Sequence, residues 1–259
     1  MLNRKFVKFK ISVIIKTFYY NKQKERKYHE KKIIFYFVVI FNDFVPKGWK
    51  ILKDENGSNF IAKGDLNKDK FEDVAIIIEK NDKKNIKKND NFGPNELNLN
   101  PRILLILFKE KDGTYSLVAK NDKGFIKSEG SEDNPALMDT LSDICIKKNV
   151  LKITFNYFMS AGSWNTSSDT YIFRFQNNVF ELIGYESDSY MRNSGDEEKI
   201  SINFSTNKVK STTGGNMFEG TKDKPKDKWR NIKFEKKYIL DEMNESTMDE
   251  ILDTIYYIE

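Results

Sequence analysis

Histidine and cysteine are almost missing from this chain. Among 259 residues there is one His, His29, and one Cys, Cys145. A single cysteine excludes a disulfide framework within the chain. Cys145 stands between Ile144 and Ile146, a setting that predicts a buried, inert thiol rather than a nucleophile. His29 lies in a basic N-terminal stretch. A Ser-His-Asp triad, a Cys-His pair and a His-rich zinc site are therefore excluded from the remainder. A phosphate-cradling glycine loop is missing as well, because Gly214-Gly215 lacks the Lys-Ser/Thr that follows in such loops.

A net positive charge is missing outside the N-terminus. The chain carries a net +5, yet residues 1–42 hold 11 Lys/Arg against only Glu25 and Glu30. That segment is +9 and the remainder is −4. A mildly acidic domain lacks the basic face that nucleic-acid binding requires. Residues 22–32 are strongly basic, and 33–41 (Ile-Ile-Phe-Tyr-Phe-Val-Val-Ile-Phe) are apolar without interruption. A basic flank before a short apolar run is the layout of a secretory signal, and this run falls short of the roughly 20 residues a bilayer span needs. No small-residue cleavage site precedes Asp43, and no Cys is placed for lipid attachment. Residues 1–42 are expected to be a leader, signal-like or membrane-proximal, whose basic face can meet anionic lipid.

The most specific signal lies at 64–79, Gly-Asp-Leu-Asn-Lys-Asp-Lys-Phe-Glu-Asp-Val-Ala-Ile-Ile-Ile-Glu. Asp65, Asn67, Asp69 and Asp73 occupy positions 1, 3, 5 and 9 of a calcium loop, and the carbonyl of Phe71 falls at position 7. Calcium takes six to eight oxygens, and a tight loop with oxygens on alternate residues can supply them. In a helix-loop-helix site, position 12 is a bidentate Glu; here it is Ile76, inside a largely β-branched run that reads as a buried strand. The loop resembles the single calcium loops of FG-GAP and VCBS repeat proteins. That resemblance implies Ca2+ as cofactor, with Asp65, Asn67, Asp69 and Asp73 in the ligand positions. The usual Gly at position 6 is Lys70. A left-handed conformation there costs roughly 1 kcal/mol, and Lys68 and Lys70 add positive charge beside a cation. The affinity expected is weak, ~0.1–1 mM, the range of extracellular modules. A second copy of the spacing, which a propeller of four or more blades would carry, is missing. A looser resemblance runs through Val45-Pro-Lys-Gly-Trp, Asn100-Pro-Arg-Ile-Leu-Leu-Ile and Tyr171–Tyr185 to uncharacterised bacterial envelope proteins with one such loop. It implies location and architecture only.

Elsewhere the pattern is strands and polar turns. Residues 80–101 read as a long polar loop. Ile103–Phe108 and Thr114–Ala119 flank Asp112-Gly113, a hairpin signal. Ile144–Ile146 and Leu151–Phe158 flank Lys148-Asn149, with Leu151, Ile153, Phe155 and Tyr157 alternating with polar residues. Residues 160–169 read as a loop. Tyr171–Phe175 and Val179–Tyr185 flank Asn177-Asn178, loop 186–198 follows, and then Ile200–Phe204. The aromatic share of 14% suffices for a β-rich core. About ten strands are expected in 46–210, giving a mainly β fold: an antiparallel meander or sandwich, or a partial propeller-like sheet. Ser211–Gly215 read as a linker, Trp229–Leu240 as a final strand, and Thr247-Met248-Asp249-Glu250 as a capping box. Met248, Ile251, Leu252 and Ile255 then give a short amphipathic C-terminal helix. The expected domains are thus a leader (1–42), a β-rich domain with the calcium loop (43–210), and a tail of linker, strand and helix (211–259).

These features point to a non-enzymatic secreted, periplasmic or envelope-associated protein with one structural calcium. The alternative is a carboxylate-based carbohydrate-active enzyme, or a module binding a glycan or an envelope protein. It would use Glu186 and Asp188 with the aromatic loops at Trp164 and Tyr185–Tyr190.

Overall fold

Two aliphatic runs, Val74–Ile78 and Ile103–Leu107, organise the sheet that carries the loop. The computed structural model describes residues 41–218 and 224–257. The chain divides into two units, 1–47 and 48–259. Of the first, only 41–47 are described, with a single 3-10 turn at Asn42–Phe44. The leader expected at 1–42 therefore lies almost wholly outside the described residues. No helix among the described residues is long and apolar enough to cross a membrane.

The second unit is mainly β and antiparallel throughout. Strand β1 (Trp49–Ile51) and strand β2 (Ile61–Gly64) pair in succession along one edge of β3 (Asp73–Lys80). A small separate hairpin, β4 (Ile86–Lys88) with β5 (Glu96–Asn98), follows. It occupies the middle of the stretch expected to be an irregular loop. Strand β6 (Arg102–Lys109) returns along the other edge of β3, and β7 (Tyr115–Asn121) pairs with β6. In the register Ala75 faces Ile106 and Ile77 faces Leu104. These side chains belong to the main core, and the alternate set Val74, Ile76, Leu105 and Leu107 is buried too. That double burial is why the run shows no alternation in sequence.

The second sheet is an uninterrupted meander of β8 (Leu141–Lys147), β9 (Val150–Tyr157), β10 (Asn165–Gln176), β11 (Val179–Met191), β12 (Asp196–Asn203), β13 (Lys208–Asn216) and β14 (Lys226–Asn231). Its two tightest turns are those expected. Lys148-Asn149 (φ 53° and 59°) and Asn177-Asn178 (φ 53° and 63°) are left-handed at both positions. That geometry matches strand twist and favours Asn. Polar side chains hid the full length of the strands. Residues 165–169 extend β10, 186–191 extend β11, and Ser211–Gly215, expected as a linker, are the outer half of β13. Polar Ser, Thr and Asp fit there because one face of the sheet is open to water. The final strand begins and ends earlier than expected, at Lys226–Asn231.

A bulge sets which residues face inward on β11. The pairing shifts between Ile172 and Phe173, whose partners are Gly184 and Leu182, so Ile183 is the extra residue. A one-residue insertion flips the side-chain parity. Phe180 and Leu182 are buried before it and Tyr185 after it. The two sheets meet through edge-to-face rings. Phe108 lies 4.9 Å from Phe175, and Phe125, just past β7, lies 5.5 Å from Phe155 and 5.0 Å from Tyr171. The chain then crosses back over both sheets: Asn121 Nδ2 donates to the carbonyls of Leu240 and Met243. Helix α1 (Thr247–Tyr257) buries Met248, Ile251 and Ile255. Its cap differs from the expected box. Thr247 is the first helical residue, its hydroxyl bonded to Asn244, and Glu250 pairs with Lys236 at 2.7 Å.

Phe173→Ala, at a site with no exposure, should cost about 3–5 kcal/mol in urea unfolding. Phe92→Ala, at a ring 76% exposed, should change stability by no more than about 0.5 kcal/mol. Equal effects would contradict the described core.

Candidate functional site: the 65–73 loop and the charged cleft

The loop begins where two strands come unusually close. A Cβ built at Gly64, the last residue of β2, would lie 2.6 Å from Ile146 Cγ2 on β8. That approach sets the loop beside the β8–β9 turn, where Asn149 Nδ2 donates to the Asp65 carbonyl at 2.7 Å. Within the loop, side-chain oxygens are turned onto the loop's own amides. Asp65 accepts from the backbone N–H of Lys68 (2.6 Å) and of Lys70 (3.0 Å). Asn67 accepts from Asp69 N–H, and Asp69 from Phe71 N–H. Asn67 Nδ2 also donates to Asp69 at 2.9 Å. This ladder of Asx turns curls the chain tightly enough that Lys68 and Lys70 are left-handed, at φ 69° and 73°. Lys70 thus adopts the conformation that glycine takes most cheaply.

Asp73 differs from the other three. It has no exposure, whereas Asp69 is exposed. One carboxylate oxygen accepts from Leu66 N–H (2.7 Å) and the other from Lys109 N–H (3.1 Å). Burial pushes its pKa up, opposed by those backbone bonds. Asp73 therefore ties the start of the loop and the end of β6 to the start of β3.

The donor set has calcium chemistry: three carboxylates, one amide oxygen and the Phe71 carbonyl, all hard oxygens. A carboxylate oxygen that accepts one N–H keeps a further lone pair, so the turn bonds are compatible with cation binding. Among the described residues, no three His, Cys, Asp or Glu side chains are already gathered to hold a metal ion. The loop's acids are directed at amides and not at one another.

At the opposite end of β3 lies a feature the sequence did not reveal. A cleft of about 850 Å3 is lined by residues including Lys50, Lys53, Asp54, Glu79, Arg102 and Asp139. Arg102 forms two parallel 2.7 Å bonds to Asp139, and its Nε bonds Glu79 at 3.1 Å. Side-chain exposure is 1% for Arg102 and 2% for Glu79. Lys50 reaches Glu79 from the surface at 3.1 Å. Burial works to lower the pKa of the guanidinium, but Asp139 and Glu79 outweigh it and hold the group above its ordinary value. In sequence, Glu79 and Arg102 are simply charges at the ends of apolar runs. Only the β3–β6 register, which pairs them, brings them together.

The residues weighed for carbohydrate chemistry scatter. Glu186 and Asp188 stand side by side on the outer face of β11, roughly 7 Å apart by strand rise. Asp188 is paired with Lys199 at 2.7 Å. Tyr185 is 1% exposed and belongs to the core, so it forms no surface platform. Trp164 and Phe158 are exposed, with the Arg192 guanidinium 4.4 Å from the Phe158 ring centre and 5.8 Å from that of Trp164. Cys145 is half-buried and not fully enclosed; burial, then the charge of Asp143, raises its pKa. No family model matches the chain, and neither a curated protein nor a solved structure matches it.

Arg102→Ala should cost about 3–5 kcal/mol in urea unfolding, because it leaves Glu79 buried without its main partner. Converting both Glu79 and Arg102 to Met should cost clearly less. A double variant as unstable as the single one would show that the pair is not held by this compensation.

Proposed function

We propose that the protein is a non-enzymatic β-sandwich protein whose 65–73 loop binds one calcium ion as a structural staple. The secreted or envelope setting suggested by the basic and apolar leader is part of that proposal. The observation that carries it is the loop itself: ligand-type oxygens at positions 1, 3, 5 and 9, already curled by successive Asx turns between β2 and β3. The likeness to FG-GAP and VCBS loops supports the same reading. Bound calcium supplies positive charge at a place where Asp65, Asp69 and Asp73 concentrate negative charge. Asp73 and Asn149 hold the loop's two ends, so ordering the three middle ligands, Asn67, Asp69 and Phe71, costs little further entropy.

An ion that binds only the native state stabilises it by RT ln(1 + [Ca]/Kd), about 2.7 kcal/mol at a hundredfold excess. Melting in 10 mM calcium against chelator should therefore shift upward by several degrees, and Asp69→Ala should remove the shift. Lys70→Gly should raise stability with or without calcium by roughly 1 kcal/mol, since the left-handed strain is present in either state. An identical melting curve in calcium and chelator would end this reading.

A second reading, a glycan- or partner-binding module, is favoured by the exposed Phe158 and Trp164 rings, held around the half-buried Arg192, beside a groove of about 420 Å3 at Asp188 and Tyr190. Sugars stack on aromatic rings and bond to flanking acids. Binding on a glycan array that Trp164→Ala abolishes would establish it, and a blank array would remove its support.

A further inference from the structure

Asp169 lies on the inner face of β10, only 8% exposed. It lines a cavity of about 280 Å3 between the second sheet and α1. One of its oxygens accepts from Ser187 Oγ at 2.8 Å. The walls are aromatic: Phe125, Phe155, Tyr157 and Tyr171. Three of these rings pack edge to face, at 5.0 to 5.5 Å between centres. At the rim stand Glu245, just before α1, and Asp249, in its first turn. The partial positive charge of the helix N-terminus is offset there by Asp249. The lining holds three carboxylates and one amine, Lys127, which is already paired with Glu245 at 3.0 Å.

The lining chemistry narrows the ligand. An anion meets a surplus of negative charge. A neutral apolar molecule leaves Asp169 without a counter-charge in a desolvated place. A hard divalent cation wants six or more oxygens drawn close around it, and among the described residues no three acids are gathered to hold a metal ion. A small organic ammonium ion satisfies each element: charge and N–H donors for the acids, and an apolar tail for ring faces that attract cations. We propose that this cavity binds a small primary ammonium ion, its charged end toward Asp169 and its apolar tail along the aromatic wall. The carboxyl of Asp169 is pushed up in pKa by burial, opposed by hydroxyl bonds from Ser187, Tyr185 and Ser167; these bonds supply no counter-charge, which a bound cation does. Tyr157 and Tyr171, also raised by burial and then by neighbouring charges that include Asp169 and Asp249, stay neutral and present oxygen acceptors.

The test is calorimetric titration of the full chain with n-butylammonium chloride, with n-butanol and sodium chloride as controls. Saturable binding by the ammonium alone is expected. Asp169→Asn should abolish it. Asp249→Asn, at an exposed rim position that leaves folding intact, should weaken it about fivefold at low salt, as a partly solvated ion pair would. Failure of the ammonium to saturate, equal binding of n-butanol, or an affinity unchanged in Asp249→Asn would overturn the proposal.

Discussion

A carboxylate with no exposure to water has to be satisfied by the protein, and Asp73 imposes that demand at the first residue of β3. Its two oxygens are met by the amides of Leu66 and Lys109, seven residues before it and thirty-six after it. Meeting them fixes how β2 enters the loop, where β3 begins and where β6 ends. Isolated burial of an ionised carboxylate is prohibitive, so this end of the first sheet cannot shift register without exposing or stranding the charge. Glu79, one residue from the far end of the same strand, makes the same demand and meets it differently, through Arg102 and Asp139. Strand β3 is thus an apolar segment pinned at both ends by buried acids. One end faces a loop of calcium-type oxygens and the other a charged cleft.

The second sheet follows a simpler rule. Its inner face is built from alternating aromatic and aliphatic residues and its outer face from Ser, Thr, Asp, Glu and Lys. The bulge at Ile183 transfers that alternation from one parity to the other along β11. Phe180 packs against Phe108 on one side of it, and Tyr185 against Tyr171 on the other. The same parity sends Glu186 and Asp188 outward, whereas Asp169 faces inward by the unbroken alternation of β10 that also buries Tyr171 and Phe173. Where the acids of β11 lie relative to this sheet, and so what chemistry they can support, depends on one inserted residue.

Apolar runs and alternation located the strands of the core because their apolar residues are strong signals: Val74–Ile78, Ile103–Phe108 and Tyr171–Phe175 fall within strands, and Leu151–Phe158 overruns the end of β9 by one residue. The double-Asn turn was legible because two consecutive left-handed residues favour Asn. Strand ends were harder to see. The outer parts of β10, β11 and β13 face water and carry turn-like residues, so 165–169, 186–191 and 211–215 read as loops. The helix was legible from Met248, Ile251 and Ile255, but its cap was not, because Glu250 is drawn away by Lys236 from another part of the chain. The 65–73 loop is local, and its spacing could be read directly. The Glu79–Arg102–Asp139 cluster and the Asp169 cavity are assembled from distant segments and leave no local trace.

The central claim is that the 65–73 loop is a calcium staple, and amide chemical shifts during a calcium titration test it most directly. Saturating shifts should be confined to residues 65–73 and to Asn149, which bonds the Asp65 carbonyl, with a midpoint of ~0.1–1 mM. Amides of 65–73 that stay still throughout the titration, or shifts that saturate only elsewhere, would contradict it.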